Sequence, residues 1–495
     1  MADKFQLTDE VIVSSKETSV GVHRAVAAGA LRKLASRLYT SNLRDAPEAI
    51  IQRNAWRIIA GFYPGALIAD RTALENRPAS DGSVFVVHAK TAELELPGLR
   101  IRPRRGPEPL EGDRPFLHGL RIASPARACL ENLRPSRSRG GAVARTLSED
   151  ELVAYLDASL RASGDDALNR LRDTARQLAP KLGLTDEARH FDTLVGTLLG
   201  TRKAKLGSHL GAAYLEGAPY DVERMALFEA LRQALAVAPP THLPAKPTDG
   251  VALPFFEAYF SNYIEGTEFA VDEAEDIIFH HKLPAGRPQD AHDILGTFEV
   301  VRSDAEMSRV AATPEQFIQF LCERHAHMMA GRPAQAPGVF KTEPNRAGNS
   351  LFVHPRHVRG TLSEGFAMCR TLPSAFTRAV FVMFLVSEVH PFADGNGRCA
   401  RVMMNAELVI VGEQRIIIPT VFRTEYLSAL KAITHNQRPE PILSVLDYAR
   451  RYTHQIDFAS LETARAQLTA TNAFEPPADA MGAGAKLLLP ASLPR

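Results

Sequence analysis

Only four cysteines occur in the 495 residues (Cys129, Cys322, Cys369 and Cys399), and no two form a CxxC pair. Such scarcity excludes a disulfide framework and a cysteine-based zinc site, and it suits a reducing cytosol. No run approaches the roughly 20 consecutive apolar residues of a membrane helix, so no membrane span is expected. The opening MADKFQLTDE carries charges where a signal peptide would have its apolar run, and a cytoplasmic location is expected. No repeat recurs at solenoid or propeller spacing. What remains is an ordinary globular composition, 45% hydrophobic and 23% charged, long enough for two or three domains.

Net charge is also nearly absent, at +1, but the average hides a split. Residues 1–145 hold 23 Lys and Arg against 15 Asp and Glu, a balance of +8; the remainder holds 35 against 42, a balance of −7. A basic front suits an acidic partner, nucleic acid being the usual one, or else a solvated basic face.

The clearest seam is the Pro-rich stretch 238–250, APPTHLPAKPTDG, which cannot be a continuous helix or a central strand. Before it, residues 146–237 read as helices, with Ser148-Glu149-Asp150-Glu151 as a helix start. Short β-rich runs such as Val84–Val87 and Leu99–Arg102 place a small mixed α/β unit within residues 1–145. Long helical patterns follow the seam over 251–458, and a tail over 466–495, rich in Ala, Pro and Gly, is expected to be poorly ordered.

The chemistry concentrates in residues 390–401, HPFADGNGRCAR. The apolar run Leu372 to Val389 predicts a buried helix that Pro391 terminates, and a second helix is expected from Arg401 to Ile410. Gly395, Asn396 and Gly397 tolerate positive φ, so successive N–H groups can turn inward as an anion nest before a helix N-terminus. Arg398 and Arg401, three apart, share a helix face and suit phosphate oxygens. Asp394 offers a hard oxygen ligand suited to Mg²⁺ beside a phosphate. His390, with a pKa near neutrality, can take a proton from an attacking hydroxyl, while Phe392 anchors the loop. Together these supply what phosphoryl or nucleotidyl transfer needs.

The segment resembles the signature of the Fic (Fido) family, HPFx(D/E)GNGRxxR, at every specified position. The resemblance implies transfer of AMP from ATP, with Mg²⁺, onto a Ser, Thr or Tyr hydroxyl of a protein target. His390 would be the base, Asp394 the metal ligand, and Gly395, Asn396, Gly397 and Arg398 the phosphate site. Residues 261–266, SNYIEG, resemble the family's inhibitory motif, which would set Glu265 against Arg401 and block the γ-phosphate. Residues 337–355 resemble the flap hairpin that aligns the target segment, with Pro344 and the turn-like 345–349 making it short or mobile. Tyr426 and Asn436 lie where relatives contact the adenosine. The resemblance covers about residues 250–455, with a core near 312–448. It also admits another nucleotide or phosphate donor, or AMP removal, although phosphotransferase toxins of the superfamily carry lysine where this chain has Gly397.

Residues 1–145 are similar to AbiEi-type antitoxin regulators, in which a winged helix precedes a small α/β domain. Glu17–Gly29 would be its helix and LRKLASRLYT its wing, with Arg24, Arg32, Lys33 and Arg37 facing DNA. A DNA-binding regulator that senses nucleotide is therefore a further reading, and a homodimer is compatible with any of them. The expected fold class is mainly α: a Fic-type helical bundle with a small β-hairpin flap, preceded by a mixed α/β N-terminal region with a winged helix.

Overall fold

The computed structural model describes residues 9–138, 141–237, 242–248, 250–284, 286–348, 350–477 and 484–490. The chain divides into two compact units, Met1–Gly217 and Ala218–Arg495.

In the first unit, β1 (Val11–Val13), α1 (Ser19–Ala27), β2 (Arg32–Ala35) and β3 (Leu38–Thr40) form a three-stranded antiparallel sheet beside a helix, in the order β1-β3-β2. After α2 (Pro47–Arg53) and α3 (Ala55–Phe62) come β4 (Leu67–Ile68), α4 (Asp70–Glu75), β5 (Ser83–Val87), β6 (Leu94–Leu96), β7 (Leu99–Arg104), β8 (Arg114–Pro115) and β9 (Arg121–Ile122). These six strands make one mixed sheet in the order β6-β7-β5-β4-β9-β8. Every residue of β5 is buried, which explains its unbroken β-rich run, whereas β7 alternates buried and outward positions. α5 (Pro125–Asn132) follows, then the 34-residue α6 (Glu149–Leu182), α7 (Thr185–Leu198) and α8 (His209–Leu215). Ser148 caps α6 through a capping box with Glu151, as the spacing of SEDE predicts.

In the second unit, α9 (Val222–Ala236), α10 (Ala252–Ile264), α11 (Val271–His280), α12 (Pro288–Arg302) and α13 (Asp304–Met307) lead to α14 (Pro314–Met328). A hairpin of β10 (Arg346–Ala347) and β11 (Ser350–Leu351) precedes α15 (Val358–Cys369), α16 (Ala375–Val389) and α17 (Asn396–Val409). α18 (Arg423–Asn436), α19 (Glu440–Gln455) and α20 (Leu461–Ala470) close the order. α16 is the central rod: all its residues except Arg378 and Ser387 are buried. A helix so apolar on every face has no solvent side to present, so α9, α15 and α17 surround it.

Three expectations about organisation change. The seam lies at 217/218, not at 238–250, because Leu227, Phe228, Leu231 and Leu235 of α9 join the core of the second unit. Phe228 sits 6.0 Å from both Phe381 and Phe384 of α16. Residues 238–241 and 249 of the Pro-rich stretch lie outside the described residues. The tail does not lose order at 466: α20 runs through it, and the Leu487 carbonyl accepts from Tyr448 Oη at 3.0 Å. Ala473 and Leu487 are core residues, an anchoring that the Ala/Pro/Gly composition conceals; 478–483 and 491–495 lie outside the described residues. Finally, α17 starts at Asn396, five residues before the expected Arg401. Gly395, at φ 75°, already supplies the turn that admits the helix.

Candidate active site

α16 delivers His390 to the rim of a cavity. The residue caps the helix in the left-handed region, at φ 51° and ψ 59°, and its N–H donates to the Val386 carbonyl at 3.0 Å. Histidine is among the residues that tolerate this conformation better than most. Its Nδ1 lies 3.3 Å from the Ser387 carbonyl. A carbonyl only accepts, so Nδ1 carries the hydrogen and Nε2 keeps its lone pair. Phe352, just after the hairpin, stacks on the imidazole at 3.7 Å with planes 4° apart. Burial, with the Lys341 cation nearby, pulls the His390 pKa down to about 4, so the ring is neutral at pH 7.

The loop from 391 to 395 is pinned from beneath. Asn396 Oδ1 accepts from Phe392 N at 2.8 Å, and its Nδ2 donates to the Phe392 carbonyl at 2.9 Å. Phe392 is fully buried and stacks on His325 at 3.6 Å. His325 Nδ1 accepts from Gly338 N at 2.8 Å, which makes Nε2 the donor to the Asp394 carbonyl at 3.0 Å. Burial holds the His325 pKa at about 4, so this ring stays a neutral strut. Asn345 Nδ2 ties the segment before β10 to the Phe392 carbonyl at 3.0 Å, and Lys341 Nζ reaches Asn345 Oδ1 at 2.6 Å.

Beneath the imidazole, α10 brings Ser261 and Glu265 to α17. Arg401 donates from Nε to Ser261 Oγ at 2.9 Å, and from Nη2 to the Ser261 carbonyl at 2.8 Å and to Glu265 Oε1 at 2.7 Å. Glu265 Oε1 lies 2.1 Å from where a Cβ on Gly397 would stand, so only glycine at 397 lets the carboxylate rest on the first turn of α17. His390, Glu265, Gly397, Arg401 and Tyr426 line one cavity of about 210 Å³, together with Phe352, Glu388 and Thr434. Tyr426 is buried, and burial raises its pKa.

Other sequence-predicted residues lie elsewhere. Arg398 is buried and turned from the cavity: its Nη1 is 2.7 Å from Asp293 Oδ2 and 3.4 Å from Asn262 Oδ1. Of the three residues expected to use positive φ, Gly395 alone does so; Asn396 and Gly397 are helical. Asn396 serves the loop through its side chain. Asn436, the last residue of α18, is exposed and outside the cavity lining. Asp394 is half exposed, with Oδ1 accepting from Gly395 N at 2.7 Å and Oδ2 3.8 Å from Arg398 Nη2. One carboxylate oxygen so loosely held suits a hard cation, and no group of three acidic, His or Cys ligands exists among the described residues to cage one.

In the first unit, Arg24 and Lys33 are exposed. Arg32 Nε donates to the Asn42 carbonyl at 2.9 Å, and Arg37 Nε to the Ser14 carbonyl at 2.9 Å, so two of the four residues expected on DNA hold their own fold together. No helix among the described residues is long and apolar enough to cross a membrane. Sequence reasoning missed Asp293, His325, Lys341 and Phe352. None lies inside the signature, and only the flap resemblance encloses the last two.

A buried helical rod, a left-handed histidine and a glycine-opened second helix define a helical protein whose cavity is lined by an imidazole, a guanidinium and a carboxylate. Residues 317–408 match the Fic/DOC family. The chain is 26% identical over 192 residues to "Protein adenylyltransferase Fic" of Drosophila erecta, across 35% of this chain and 37% of that protein. It is 25% identical over 186 residues to "Protein adenylyltransferase fic-1" of Caenorhabditis elegans, covering 36% of each. The chain thus spans little more than a third of the length of these curated relatives. A solved structure of C. elegans Fic-1 aligns over 65% of this chain and 94% of its own, at 16% identity and a TM-score of 0.37.

Proposed function

We propose that this protein transfers AMP from ATP to a hydroxyl group of a protein target, and that Glu265 restrains the reaction. The observation that carries the proposal is the shared cavity: a neutral imidazole, an arginine and the first turn of a helix line one space of about 210 Å³. That is less than the roughly 300–1,000 Å³ of most ligand pockets, in keeping with a carboxylate occupying part of it.

The target hydroxyl gives its proton to His390 Nε2 as its oxygen attacks the α-phosphorus. A new P–O bond forms, the bond to the β-phosphate oxygen breaks, and pyrophosphate leaves. The N-terminal amides of α17 and the Arg401 guanidinium stabilise the charge on the phosphates. Mg²⁺ held by Asp394 would neutralise phosphate charge there. Tyr426, with Phe352 across the cavity, offers apolar contact to the nucleoside.

Full-length protein incubated with ATP and Mg²⁺ is expected to gain, on itself or on an added target, the mass of one AMP, read by intact-mass spectrometry. An adduct of a phosphoryl group alone would overturn the assignment of AMP as the transferred group. The pH profile is a second check. His390 acts only when unprotonated, so with a pKa of about 4 the transfer rate stays level from about pH 8 to about pH 5.5 and falls as pH approaches 4. A fall centred on the ordinary histidine value of 6.5, with the fold intact by circular dichroism, would refute that protonation state.

A further inference from the structure

The first unit holds a second constellation, remote in sequence from the Fic signature. Asp70 opens α4 with its carboxylate fully buried and its backbone at φ 52°, a conformation that a non-glycine residue adopts at a cost. Two arginines grip it. Arg104 donates from Nε at 2.7 Å and from Nη2 at 3.1 Å, and Arg145 from Nη1 at 2.6 Å. Glu131, also buried, reaches Arg104 Nη2 at 3.1 Å with one oxygen and Arg127 Nε at 3.0 Å with the other. Arg127 in turn pairs with the buried Asp113 at 2.7 Å.

Inside the fold the charges match: Arg104, Arg127 and Arg145 against Asp70, Asp113 and Glu131. The mouth does not balance. Arg104, Arg105, Arg134, Arg145 and Glu131 line a cavity of about 170 Å³, together with Leu182 and Leu184. Arg105 is exposed, with no ion pair among the described residues, and Arg134 has only Glu187, at 3.7 Å. Two rooted guanidinium groups therefore border a space above which two further cations stand against one carboxylate. At roughly 30 Å³ per water, the cavity holds a phosphoryl group and a few waters but no nucleoside.

We propose that this cavity binds a phosphate dianion, free or as the end of a phosphomonoester. Buried carboxylates fix two arginine forks in advance, so their remaining N–H groups meet tetrahedral oxygens without losing much side-chain entropy. Arg105 and Arg134 close over the anion from the rim. The strained Asp70 backbone persists because it aims one carboxylate at both forks.

Hydrogen exchange of the full-length protein at low salt, followed by mass spectrometry on peptides covering 100–108 and 127–136, tests the site separately from the Fic cavity. Inorganic phosphate is expected to slow exchange in both peptides, whereas sodium chloride at matched ionic strength is not. Ribose 5-phosphate identifies a phosphomonoester site if it protects at lower concentration than phosphate, and a free-anion site if it does not. The Arg105→Gln, Arg134→Gln double variant alters only rim side chains and is expected to weaken the phosphate effect about tenfold or more. Equal protection by chloride, or an unchanged phosphate response in the double variant, overturns the proposal and leaves the cluster as a structural ion network.

Discussion

Glu265→Gly is expected to raise ATP-dependent AMP transfer about a hundredfold, read as adduct formed per minute at fixed ATP and Mg²⁺. The wild-type carboxylate rests on the first turn of α17, 2.1 Å from where a Cβ on Gly397 would stand, and a negative charge there would repel a phosphate. It also takes Nη2 of Arg401, the guanidinium that lines the cavity. Placing like charges together costs several kcal/mol, and each ~1.4 kcal/mol is a factor of ten, which sets the scale. Removing the side chain frees Arg401 without releasing it, because Ser261 still accepts from Nε and Nη2 at 2.9 and 2.8 Å. Glu265→Gln separates charge from bulk: it removes the negative charge but keeps the atoms in place, so its rate should lie between the two. Glu265 sits at the partly exposed end of α10, and neither variant should shift the melting temperature much. If Glu265→Gly transfers AMP no faster than the wild type, Glu265 does not restrain the reaction.

The sequence pattern was legible where the physics is local. A run apolar on every face announced α16, the proline after His390 ended it, and SEDE announced the capping box of α6. The family signature and the SNYIEG motif pointed to the two segments that meet at Arg401. What stayed hidden depends on contacts between distant residues. Arg398 looks like a partner of Arg401 on one helix face until Asp293, more than a hundred residues earlier, claims its guanidinium. The proline-rich seam suggested a boundary, yet α9 before it carries a phenylalanine that α16 requires. His325 gave no signal at all, because a histidine used as a neutral strut between two loops looks like any other residue on an amphipathic helix. Asn436, assigned by analogy, ends α18 exposed to solvent, and no local pattern in the sequence indicates which way that helix end faces.

His390→Ala is expected to lower the transfer rate by about 10²–10⁴, the usual contribution of a positioned general base. Alanine at a left-handed position adds backbone strain, so His390→Asn is the better companion: asparagine tolerates positive φ and cannot act as a base at neutral pH. Both should lose the rate alike if proton transfer is what matters. If strain were responsible instead, the asparagine variant would keep most of it. Binding should respond little, because Arg401, Gly397 and Tyr426 line the cavity independently of the imidazole. The loss therefore belongs in kcat, with KM for ATP near its wild-type value. Combining His390→Asn with Glu265→Gly sharpens the test. The double variant has an open cradle and no base, so it should hold ATP at least as well as the wild type while forming adduct about 10²–10⁴ more slowly than Glu265→Gly alone. A double variant as active as Glu265→Gly alone would remove the imidazole from the mechanism altogether.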